Sequence, residues 1–95
     1  MKKEKTYEIN KLNYTVFKDE YNVFDHESVK TLMTDYFNDY DYVFGDYAYN
    51  KLRLKGFYEK RNKKCNNTNN IENLDNYINN YCAYKCKWFL LKKIK

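Results

Sequence analysis

The apolar positions along the chain follow two periods. The clearest period-two stretch is Lys51-Leu52-Arg53-Leu54-Lys55-Gly56-Phe57-Tyr58, whose strict alternation predicts a strand. Leu52, Leu54 and Tyr58 share its inward face, and Lys51, Arg53, Lys55 and Phe57 share the other. Gly56 falls on the inward face and marks either a bulge or the close approach of another element. Residues 40–46, YDYVFGD, read as a largely buried strand, and Lys87 to Leu91 as a last strand running into a lysine-rich tail. Tyr7 to Ile9 and Tyr14 to Phe17 predict two N-terminal strands around a turn at Asn10 to Asn13. Helical spacing takes over at Val29, Leu32, Met33, Tyr36 and Phe37, predicting a helix over 25–38. Asp25 is its expected N-cap, accepting from the Ser28 amide, with Phe24 and Val29 as a hydrophobic staple. Ile71, Leu74, Ile78 and Tyr81 predict a second helix over 71–81, capped by Asn70. The polar stretch 59–70 between is expected to be a mobile loop.

The order is β-α-β-β-α-β with an extra strand in front. No internal repeat or linker interrupts it, so residues 1–95 are expected to form a single domain. The fold class is α+β: a small, mostly antiparallel sheet with two helices packed on one face, as in ferredoxin-like folds. Two small packed sheets are the alternative arrangement.

Two blocks carry a family resemblance. The stretch from Tyr40 to Phe57, YDYVFGDYAYNKLRLKGF, and the ending from Tyr81 to Lys92, YCAYKCKWFLLK, resemble the YutD-like family of small bacterial proteins in order and spacing. The resemblance covers roughly residues 7–94. The chain departs from the family pattern at Tyr47, Lys51 and Lys85, where the pattern has Trp, Gln and Gly. The first change keeps an aromatic, the second adds charge to the basic strand, and the third removes a residue suited to a helix C-terminal turn. The resemblance implies a cytoplasmic protein with a small domain of helices and strands, and it implies no established activity.

Composition narrows the function classes. Leu, Ile, Val and Phe make up 21 of 95 residues, so the twelve Tyr are needed as core material. Lys and Asn are also abundant while Arg is scarce, a pattern that A/T-rich codons explain without functional pressure. No apolar run approaches the length of a membrane span, and Met1 to Lys5 precede no apolar stretch, so a cytoplasmic location is expected. The two glycines are not clustered, which excludes a phosphate-cradling loop, and the lone His26 excludes a multi-histidine metal site. No cofactor is expected. The net charge of +5 is segregated: residues 25–50 carry six acids against one Lys, and residues 51–64 carry seven bases against one Glu.

Three clusters bear chemistry. The first is basic: Lys51, Arg53, Lys55, Lys60 and Arg61, with Lys63 and Lys64 beyond, are expected to contact phosphates, and Phe57 to offer a stacking face. Lys55-Gly56-Phe57 matches the opening of the strand motif of RNA-recognition modules, although Tyr58 and Glu59 depart from it. Lysines that merely shield a solvated edge are the structural alternative. The second cluster is Cys82 and Cys86, four apart near a helix end, with Cys65 elsewhere; they read as a redox pair or as inert buried thiols, and a four-ligand zinc site would need Cys65 and His26 to join them by an accident of the fold. The third is acidic, Asp35, Asp39, Asp41 and Asp46, placed mostly at element ends where Asp forms turns. The expected function is a non-enzymatic module that binds RNA or a ribonucleoprotein. The alternatives are a protein-interaction module, meeting a partner with an acidic surface, and a cysteine-based redox protein.

Overall fold

A computed structural model describes residues 5–48, 50–81 and 87–94 of the chain, with the side chain of Tyr81 left aside. Five strands, β1 (Thr6–Ile9), β2 (Leu12–Lys18), β3 (Tyr42–Ala48), β4 (Lys51–Phe57) and β5 (Trp88–Lys93), form one antiparallel sheet in the order β1-β2-β5-β3-β4. The helices are α1 (His26–Leu32) and α2 (Leu74–Tyr81), with single 3-10 turns at Asp35–Phe37 and Ile71–Asn73. The fold is therefore α+β, built on one sheet rather than two.

Local chemistry fixes the turns. Ile9 pairs with Leu12, so Asn10 and Lys11 make a two-residue hairpin loop, both at positive φ, which suits the twist of the flanking strands. Asn70 caps the second helical segment as expected, its side chain accepting from the Glu72 amide at 2.9 Å. Asp25 has N-cap backbone geometry, but its carboxylate accepts from the Ser28 hydroxyl (2.6 Å) rather than from the amide.

The first helix is shorter than its apolar spacing predicts. It ends at Leu32, and Met33 turns extended to seat its buried side chain beside Val29. The tip of the β1–β2 hairpin holds the 3-10 turn beyond it: the Asn10 amide donates to Asp35 Oδ1 (2.9 Å) and Asn38 Oδ1 (3.2 Å). Tertiary hydrogen bonds thus override the helical period, and Leu32 and Tyr36, expected in the buried stripe, are exposed.

Both faces of the sheet are covered. Val43, Phe89 and Leu91 meet Ile9, Tyr14, Val29 and Met33 on the α1 side. Tyr42, Phe44, Phe57 and Leu90 meet Ile71, Leu74, Tyr77 and Ile78 on the α2 side. Adjacent residues of a strand point to opposite faces, so the helices lie on opposite faces, not on one. The sheet order makes this informative. β2 and β3 run parallel on either side of β5, and β4 and β5 run parallel on either side of β3. Half a turn in the sheet plane exchanges the two connections, so two of the same hand would cross the same face. They cross opposite faces, and one departs from the right-handed rule. The long segment 59–70 gives the chain the length to do so, and a parallel bridge between Tyr58 and Asn70 fixes its return.

The glycines mark close approach, not a bulge. The Phe89 ring lies over Gly45 and the Tyr40 ring over Gly56, where in each case a Cβ would overlap the ring. The sheet's irregularity lies instead between Val16 and Lys18. Phe89 is fully buried in the core, whereas Tyr40 rests on Tyr58 at the end of the sheet and is only partly buried. Gly45→Ala is therefore expected to lower stability by about 1–3 kcal/mol, and Gly56→Ala by less. Urea unfolding of the two variants checks this, and equal midpoints would contradict it.

Candidate functional site

The predicted basic strand is divided by its own neighbours. Lys51 is exposed at the start of β4. Arg53 lies opposite Asp46 in the β3–β4 register, and the two form a bidentate pair, Nη2 to Oδ2 at 2.6 Å and Nε to Oδ1 at 3.1 Å. Asp46 is 2% exposed, so the guanidinium fork is committed to a buried carboxylate. Lys55 is half-buried, its ammonium 5.3 Å from the ring centre of Phe57 and 5.5 Å from that of Tyr77. Phe57, the expected stacking face, is 1% exposed and sits under α2. The match to RNA-recognition modules fails for the same reason: those modules read bases on an open sheet face, and here α2 covers that face.

The segment after β4 is ordered by hydrogen bonds rather than mobile. Asp41 is buried, and its Oδ2 accepts from the Glu59 amide (2.8 Å) and the Asn62 side chain (3.1 Å). Asn66 Oδ1 accepts from the Thr68 amide and hydroxyl and the Asn69 amide. Tyr58 donates its amide to the Asn69 carbonyl and accepts from the Ile71 amide. Lys64 pairs with Asp39 at 2.8 Å. This pair holds the Asp39 carboxyl below its ordinary range and raises the Lys64 ammonium, by hydrogen bond first and charge second. Lys60, Arg61 and Lys63 are left exposed, and among the described residues none has an acidic partner.

Beside these cations stands an aromatic array that the apolar spacing had assigned to the core. Tyr40 stacks on the buried Tyr58 at 4.5 Å between ring centres. The Tyr36 hydroxyl meets the Tyr40 hydroxyl at 3.0 Å, and its ring packs edge-on against Phe37. Tyr36 is nevertheless 67% exposed, a fixed ring presented to solvent. The Asp41 and Lys64 contacts bring residues 59–64 against residues 39–41, so the ring and the cations share one end of the sheet. The four-residue spacing of Tyr36 and Tyr40 was the available signal. Lys51 lies at the far end of β4, about 20 Å away at the usual strand rise.

Cys82 and Cys86 lie outside the described residues; Cys65 is a free, partly buried thiol. Among the described residues no three His, Cys, Asp or Glu side chains converge on a metal position, and no helix is long and apolar enough to cross a membrane.

Arg53→Met strands a buried carboxylate and is expected to cost about 3 kcal/mol, the low end for a broken buried pair because the guanidinium is half-exposed. Asp46→Leu combined with Arg53→Leu should recover most of that loss in urea unfolding, and additive losses would show that the pair is not coupled. The hydrogen bond to Tyr36, followed by burial, pushes the Tyr40 phenol up to about 12 from its ordinary 10.0. A phenol raised on folding stabilises the fold below the ordinary value, and that contribution fades as pH climbs through the raised one. Tyr36→Phe should bring Tyr40 back toward 10.0, read from phenolate absorbance during a pH titration.

Comparison with known proteins places this architecture. A curated relative, the "Putative antitoxin YutD" of Bacillus subtilis (strain 168), is 43% identical over 72 residues, spanning 76% of this chain and 79% of the relative. The solution NMR structure of protein yutD from B. subtilis superposes with a TM-score of 0.80 at 35% identity, covering 99% of this chain and 86% of that one. The family model described as "Putative antitoxin YutD-like" matches residues 8–92, and the chain belongs to the YutD-like family.

Proposed function

We propose that this domain is a non-enzymatic binding module that recognises a protein partner through an acidic surface. One observation carries the reading: the exposed ring of Tyr36, held by the Tyr40 hydroxyl, shares one end of the sheet with Lys60, Arg61 and Lys63, which form no ion pair among the described residues. Tyr and Arg dominate the energetics of protein interfaces, and a ring already held by its neighbours loses little freedom on binding. Asp39 is paired with Lys64 and Asp41 is turned to the loop, so neither carboxylate forms an ion pair with Lys60, Arg61 or Lys63. The name of the Bacillus subtilis relative, an antitoxin, points the same way, since counteracting a toxin calls for recognition of a partner.

An RNA partner is the second reading, because an exposed aromatic among cations also suits base stacking. It is the weaker one, since Arg53 and Phe57 serve the fold instead. Affinity capture with the tagged full chain from host extract, with and without nuclease, separates the two. The expected result is a protein that survives nuclease, elutes with rising salt and is retained at least about tenfold less by Tyr36→Ala or by the triple reversal of Lys60, Arg61 and Lys63 to Glu. Equal capture by the reversed variant would overturn the site. Loss of capture on nuclease treatment would overturn the protein reading in favour of RNA.

A further inference from the structure

A second site stands apart from the Tyr36 surface and shares no residue with it. A pocket of about 450 Å³ lies between β4, the loop and α2, within the size range of small-ligand sites. Among the described residues its lining holds one charged side chain, that of Lys55. The faces of Phe57 and Tyr77 fix that ammonium by cation–π contact, and no carboxylate of the described residues pairs with it. Contact with ring faces leaves the ammonium's three donors without a strong acceptor.

The rest of the lining is amide-rich. Asn76 and Asn80 are one helical turn apart on the side of α2, and Asn67 faces them from the loop. Among the described residues none of these three side chains makes a hydrogen bond within the protein. The backbone carbonyl of Asn67 is tied to α2's leading turn by the Asn73 amide at 3.1 Å, which holds the two sides of the pocket together. A side-chain amide carries a donor pair and an acceptor, the complement of a peptide group.

We propose that this pocket binds a carboxylate set beside amide groups, carried either by a free acylated acidic amino acid or by an acidic side chain of a peptide. A single lysine matches a single negative charge. Phosphate is the poorer fit, because its sites combine several cations, an arginine fork or a run of backbone amides at a helix start, and among the described residues this lining offers one cation and the flank of a helix.

The test uses the full-length chain labelled with nitrogen-15 and three probes: N-acetyl-glutamate N′-methylamide, a capped Ala-Glu-Ala peptide and inorganic phosphate. The expected result is saturable shifts of the Asn67, Asn76 and Asn80 side-chain amides with both carboxylate probes, at a Kd of about 1 mM for so small a ligand. Lys55→Met should abolish these shifts, and Lys30→Met, on α1 across the sheet, should leave them unchanged. Asn76→Asp, an exposed change that puts a negative charge into the pocket, should abolish them too and guards against misfolding of the first variant. A peptide bound at least about tenfold more tightly than the capped residue assigns the peptide as the source, and equal binding assigns the free acid. Absence of saturable shifts with either carboxylate, equal shifts in Lys55→Met, or phosphate binding as tightly as the carboxylates would overturn the proposal.

Discussion

The last strand of the sequence occupies the middle of the sheet, and the rest of the molecule depends on that insertion. β5 pairs with β2 on one side and β3 on the other. Without it the β1–β2 and β3–β4 hairpins share no ladder. Its three central residues are buried and divided between the two cores, Phe89 and Leu91 toward α1 and Leu90 toward α2. The Phe89 ring reaches across the ladder onto Gly45, so a glycine on β3 and an aromatic on β5 form one packing unit. Such pairings join distant parts of the chain, and neither core closes until the C-terminal strand arrives.

A strand buried on both sides explains how the charges came to be arranged. The acid-rich segment 25–50 and the basic segment 51–64 do not form two opposed faces. Asp46 and Arg53 meet across the β3–β4 hairpin and cancel at the sheet. Asp41, at the other end of β3, turns its carboxylate to the loop and orders it. In the basic segment, Lys60, Arg61 and Lys63 are left exposed with no ion-pair partner among the described residues. Segment charge read along a chain is therefore a poor guide to surface charge where hairpins bring opposite segments into register.

The strands were legible because alternation survives whichever face is buried. Leu52 and Leu54 share a face in the structure as in the sequence, and Tyr58 just beyond β4 is buried as expected. Alternation alone did not reveal that the opposite face was covered as well, and Phe57 was misjudged for that reason. The partner of Arg53 was within reach: a two-residue connection between Ala48 and Lys51 sets Asp46 opposite Arg53. The early end of α1 was not legible, because it depends on Asn10 reaching Asp35 and Asn38 from the tip of a distant hairpin. The Asn-lined pocket was hidden by composition. Asparagine is so frequent in this chain that its recurrence at 73, 76 and 80 carried no local signal until the helix was placed beside β4.

A sheet covered on both faces has no broad face left for recognition. Modules that read single-stranded nucleic acid on a sheet leave one face bare for their aromatics; this one has spent that face on α2 and Phe57. What stays available is the end of the sheet, where β3 begins and β4 finishes, and the edge beyond β4. The tyrosines divide along the same line. Tyr14 and Tyr42 fill the two cores, whereas Tyr36 and Tyr40 lie beyond the strands, linked to each other through their hydroxyls and resting on Tyr58. Codon bias accounts for a supply of tyrosine, but it does not account for one ring held in place and left two-thirds exposed beside unanswered cations. The position of Tyr36, rather than the abundance of its kind, is what sets that ring apart from the tyrosines that fill the two cores.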